Sequence, residues 1–192
     1  MSTTTPKKTE ALLPWFPGFY ETRLDGFIDQ ELEDRMDTEG LSWKEADAMA
    51  NYPLARQAMS KAWVKEFSKK TGLNLKLLEI VSPSEYNFET DRLIVTIEDD
   101  TTFKKLKKAK RYRTFRQTLL DLFTPRSGWM PFYPSNPSDP KWTQPVEEWD
   151  TAQLSTLIIA HALHQGISKE EMQDALCGEP SVYEAADKMW IK

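Results

Sequence analysis

The chain has 192 residues, 40% hydrophobic and 29% charged, with a formal net charge of −5. A chain of this length buries about 70% of the surface that its unfolded form exposes, so it folds without staples, and the composition excludes a disordered chain or a fibrous repeat. The single cysteine, Cys177, excludes a disulfide framework and a cysteine-rich zinc site, and the negative balance excludes a surface coated uniformly for nucleic acid.

Residues 1–10 are polar and carry neither an apolar core nor a cleavage site. They read as a flexible tail and not as a signal peptide. Residues 11–192 read as one globular domain. Within it, residues 11–20 hold four aromatic rings but are broken by Pro14, Pro17 and Gly18, which predicts an extended segment packed on the body. Phe27, Ile28, Leu32 and Met36 recur at helical spacing and predict a helix over 25–37, ended by Gly40. Ser42 and Glu45 form a capping box that starts the next helix. Pro53 forces a break near 51–53. The helix that follows runs to about Lys70, with Leu54, Ala58, Ala62 and Phe67 facing inward and Gly72 as its C-cap.

Near-alternation over 73–81 and the β-branched run 93–98 predict two strands paired as an antiparallel hairpin. Asp99 can cap a helix that the apolar spacing of Phe103, Leu106, Ala109, Tyr112, Phe115, Leu119 and Leu122 extends to Phe123. Residues 125–146 contain six of the twelve prolines and read as a long irregular loop. Helices over 151–165, 168–177 and 181–190 complete the chain, with Asp150 and Ser168 as caps and Gly166 and Gly178 as stops. The fold class expected is α+β, mostly helical, with a small antiparallel sheet in the middle of the chain.

Charge is segregated. Residues 21–47 carry ten acids and three bases, whereas 104–116 carry eight bases and no acid. Those bases are Lys104, Lys105, Lys107, Lys108, Lys110, Arg111, Arg113 and Arg116. They can form a phosphate-binding face, or a solvated face paired with the acidic N-terminal helices. Eight cations without an interspersed Glu forgo the i,i+4 pairs that a purely structural helix would use.

Catalytic signatures are scarce. His161 and His164 lie three apart but lack the intervening Glu of a zinc helix, and Cys177 has no assignable base. No glycine-rich phosphate loop or nucleophile elbow is present. No metal, cofactor or enzymatic activity is expected, and no apolar run approaches the ~20 residues that span a bilayer. The chain therefore reads as cytoplasmic. Two polar–aromatic segments hold more information than loops need. Residues 82–92 include Tyr86, Asn87, Asp91 and Arg92, and residues 123–133 place Arg126 among Trp129, Phe132 and Tyr133. They can form one recognition surface, or lock two loops together.

At these segments the motifs S-P-x-x-Y-N-F-x-T-D-R and F-T-x-R-S-G-x-x-x-F-Y, with P-G-F-Y at 17–20, resemble a family of small uncharacterised proteins of tailed bacteriophages and prophages. The resemblance spans roughly residues 75–133 and brings no catalytic residues to carry over. It implies a phage accessory protein acting in the bacterial cytoplasm, which binds and inhibits or redirects a host protein or protein–nucleic-acid complex, as anti-restriction and anti-CRISPR proteins do. The alternative reading is direct nucleic-acid binding through 104–116.

Overall fold

The computed structural model describes residues 9–14, 25–81, 92–111 and 140–167, together with 184, 185, 187 and 188. Its architecture is α+β and mostly helical, as the sequence pattern predicts. The described elements are β1 (Thr9–Pro14), α1 (Asp25–Glu39), α2 (Trp43–Met49), α3 (Tyr52–Thr71), β2 (Leu75–Val81), β3 (Arg92–Ile97), α4 (Asp100–Ala109), two 3-10 turns (Pro140–Thr143 and Val146–Glu148) and α5 (Thr151–His164).

The hairpin of β2 and β3 forms as expected, but the sheet has a third strand. β3 is central and pairs antiparallel with both neighbours, in the order β1-β3-β2. The aromatic-rich N-terminal segment is therefore extended where it is described, and it begins at Thr9, within the stretch expected to be tail. Pro14 sits at the end of this edge strand, where a missing N–H costs least. Leu93, Val95 and Ile97 turn one face of β3 inward and are fully buried, and Ala11 and Leu13 sit opposite Val95 and Leu93 on the same face.

β2 would lose this face without an irregularity. Leu75 and Leu77 stand opposite Ile97 and Val95, so strict alternation would next turn Glu79 inward. A bulge at Leu78 inserts one residue: Glu79 then faces Ile94, and Ile80 returns to the inner face opposite Leu93. Leu78, the inserted residue, is left exposed.

The helix ends follow the local chemistry read from the sequence. Gly40 takes a left-handed conformation after α1, and its amide donates to the Met36 carbonyl. The Glu45 carboxylate accepts from both the amide and the hydroxyl of Ser42 at the start of α2. Asn51 caps α3 with Pro53 in its first turn, and Gly72 closes α3 with φ near 65°. Asp99 caps α4, and Asp150 and Gln153 cap α5 reciprocally.

Two expectations change. Of the α3 residues expected inward, Phe67 is buried but Leu54, Ala58 and Ala62 are only half-buried, and Ala55, Met59 and Trp63 are buried in their place. The adjacent i,i+4 ladder carries the bulkier side chains, and Trp63 stacks on Phe67 with ring centroids 5.2 Å apart. The basic helix ends at Ala109, with Lys110 and Arg111 in a turn, so it does not run unbroken to Phe123. Residues 112–139 and 168–183 lie outside the described residues, and with them the expected helix 168–177 and its Ser168 cap.

α5 holds the core together. Every residue from Gln153 to Ala162 is buried, and the helix packs against β1 and α4. Trp142, in the proline-rich stretch, is also buried, edge-on to Trp149 with centroids 4.7 Å apart. No described helix is long and apolar enough to cross a membrane.

Candidate functional site

α4 sorts its cations by direction. Thr102, Phe103, Leu106 and Ala109 form its buried stripe. At about 100° per residue, Lys104, Lys108 and Arg111 fall on the opposite face. All three are exposed and have no ion-pair partner among the described residues. Lys107 and Lys110 stand on the flank that meets the 3-10 turns. Lys107 pairs with Glu147 at 2.5 Å, and the Lys110 ammonium lies 5.0 Å from the centre of the Trp149 ring. The Lys107 ammonium, through its hydrogen bond and charge, holds the Glu147 carboxyl below its ordinary range.

Lys105 points the other way, toward the end of α3. Its ammonium donates to the Gly72 carbonyl, one of the acceptors left open at a helix C-terminus. His161 of α5 meets the preceding acceptor, with Nε2 2.8 Å from the Thr71 carbonyl oxygen, so this nitrogen carries the proton. Burial lowers the His161 pKa, the bond to Thr71 opposes that effect, and the charges of Lys105 and His164 lower it further.

Around this junction lies a cleft of about 410 Å³ lined by Lys69, Lys70, Lys105, Lys108, His161 and Gln165, among others. Three separate helices supply it: α3 ends there, α4 passes it, and α5 closes its floor. Lys69 pairs with the largely buried Glu66 at 3.5 Å. Lys105 gives one hydrogen bond to a neutral carbonyl, which cancels no charge. Among the described lining residues none is acidic. Such a surface attracts and orients phosphate groups.

Among the described residues, no ion pair with the acidic N-terminal helices neutralises it. The described partners of the acids in α1 and α2 lie away from α4: Arg35 with Glu39 within α1, and the Tyr52 hydroxyl of α3 with Asp47. No described ion pair joins 25–47 to 104–111.

Of the nucleic-acid candidates, the structure thus places Lys104, Lys108 and Arg111 on an open face. It gives Lys105, Lys107 and Lys110 local partners, while Arg113 and Arg116 lie outside the described residues. Of the candidates for binding a partner, Arg92 is in β3 at the register position opposite Val81 and Pro14. Tyr86, Asn87, Asp91, Arg126, Trp129, Phe132 and Tyr133 lie outside the described residues. Sequence reasoning missed Lys69, Lys70 and Gln165, because nothing local ties the end of α3 to α4, some thirty residues on. The pair Lys69-Lys70 just before Gly72 was the visible signal.

Among the described residues, no three His, Cys, Asp or Glu side chains gather as a metal site. Comparison with family models, curated proteins and solved structures gave no match.

Proposed function

We propose that this chain is a non-enzymatic nucleic-acid-binding protein that grips the phosphate backbone with α4 and the cleft at the end of α3. One observation carries the reading. Lys104, Lys108 and Arg111 stand opposite the buried stripe of α4, exposed and without an ion-pair partner among the described residues, and Lys108 shares a cleft with Lys69 and Lys70. Segregation of charge reconciles this face with the net charge of −5, because the acids cluster elsewhere in the chain. In the setting that the phage resemblance implies, the surface would seat on nucleic acid handled by a host complex.

The test is titration of labelled single-stranded and duplex oligonucleotides with the parent and with Lys104→Gln/Lys108→Gln/Arg111→Gln, from about 50 to about 200 mM salt. The triple variant is expected to bind more weakly, and its salt dependence to be shallower by about one unit of slope per lost phosphate contact. A variant that matches the parent across that range overturns the reading. Binding to a host protein that survives the substitutions would place recognition at 82–92 and 123–133 instead.

A further inference from the structure

α3 carries a second row of cations. Lys61, Lys65 and Lys69 recur every four residues, all exposed, so they stand in line along one face of the helix, about 6 Å apart at about 1.5 Å of rise per residue. Like charges at i,i+4 repel and destabilise a helix, and this row has two such pairs in succession. Only Lys69 has a described acidic partner, Glu66.

The row is flanked by grooves. Lys61 and Lys65 line one of about 350 Å³ between α3 and β2, where Asn74 and Lys76 supply the facing polar groups and no described lining residue is acidic. Lys69 lines the basic cleft that Lys108 of α4 also lines. The α3 row therefore links the β2 groove, through Lys61 and Lys65, to the cleft, through Lys69, where Lys108 of α4 is the shared lining cation.

We infer that these rows form one track for an extended single strand of nucleic acid, whose successive phosphates pass from Lys61 and Lys65 through the cleft to α4. The inference rests on the proposed nucleic-acid reading and specifies its ligand. A compact anion would use the cleft alone and leave the α3 row without a role. The spacing of the row is on the scale of the phosphate repeat in an extended strand. The two grooves, of about 410 and about 350 Å³, are lined by cations and contain no described acidic residue along this path. Strand-binding proteins track the backbone through positively charged grooves in this way.

The experiment compares oligo(dT) of about 6 and about 18 nucleotides, chosen around the ~4–16-nucleotide sites of known strand binders, with a duplex of the longer length. The proteins are the parent, Lys61→Gln/Lys65→Gln, Lys61→Arg/Lys65→Arg, and Lys44→Gln as a control for net charge. The parent is expected to bind the long strand more tightly than the short one or the duplex. The glutamine pair should lower affinity for the long strand and reduce the salt slope by about 1.4, at ~0.7 per single-strand phosphate contact. It should leave the short strand unaffected, the arginine pair should keep parental binding, and Lys44→Gln should change nothing. Equal binding of both strand lengths, equal binding of the duplex, a glutamine pair with the parental slope, or an equal loss in Lys44→Gln overturns the track. If the track fails while the α4 variant still loses binding, the α4 reading stands alone. If the parent binds no oligonucleotide, both fail.

Discussion

Asp99 shows how much a single side chain settles. Its carboxylate accepts from the Thr102 amide and the Thr102 hydroxyl, each at 2.8 Å, and that hydroxyl in turn accepts from the Asn74 amide. The cap thus ties the start of α4 to the start of β2. Burial alone would raise the Asp99 pKa, but the hydrogen bonds from Thr102, with those from Asn74 and Thr101, outweigh it and leave the group below its ordinary value. A depressed carboxylate contributes stability above its unfolded pKa, and that contribution is lost as pH falls through the folded value. Asp99→Ala should cost about 1 kcal/mol at neutral pH. The difference from the parent should shrink below about pH 4, which urea melts at pH 7 and about pH 3 would measure. Ser60 makes the opposite case. It is fully buried in α3, and its hydroxyl has no hydrogen-bond partner among the described residues. Removing an unsatisfied buried hydroxyl leaves nothing unpaired, so Ser60→Ala should be at least as stable as the parent in the same assay.

At the scale of the element, α3 contains both the main success and the main error of sequence reading. Its ends were legible because breakers and caps are local: Pro53 marked the restart near 51–53, where Asn51 proves to be the cap, and Gly72 marked the finish. Of its buried face, only Phe67 was legible. Leu54, Ala58 and Ala62 make one apolar ladder, and Ala55, Met59, Trp63 and Phe67 another one residue on. Periodicity cannot choose between neighbouring ladders, but the space against β2 and α5 favours the one with larger side chains. Trp63→Ala should accordingly lose about 3–5 kcal/mol in denaturant unfolding, far more than Leu54→Ala at its half-buried position. Gly72 tests the other end. Its φ of +65° lies in the left-handed region that favours glycine, and an added Cβ would lie 3.0 Å from the Lys105 ammonium. Gly72→Ala should cost about 1–2 kcal/mol and, by displacing Lys105, should also change the cleft.

Over the whole molecule, His161 joins the last described helix to the end of α3, ninety positions away in sequence. Its imidazole is held below the ordinary histidine range, so the unfolded chain takes up the proton at higher pH than the folded one. Stability therefore rises with pH, is fully present above about pH 6.5 and is lost as pH falls below it. Denaturant melts between about pH 7.5 and pH 5.5, above the carboxylate range, should show the parent losing stability on acidification. His161→Gln can keep a donor for the Thr71 carbonyl without titrating, and should lose less. An equal pH dependence in both proteins would assign the effect to another group.

What the sequence determined by itself is what neighbouring residues settle among themselves: the caps at Ser42, Asp99 and Asp150, the turns at Gly40 and Gly72, the alternation of β3 and the segregation of charge. These signals act over a few residues, where backbone hydrogen bonds and side-chain spacing decide. Three features needed the tertiary structure. β1 became a strand only because β3 had an open edge to pair with. The Leu78 bulge arose because the core demands Ile80 on the same face as Leu77. The sorting of the basic residues into capping, paired and free cations required the end of α3 to meet α4 and α5. Each depends on residues distant in sequence competing for one buried face or one unsatisfied carbonyl, and that competition is settled only when the chain packs.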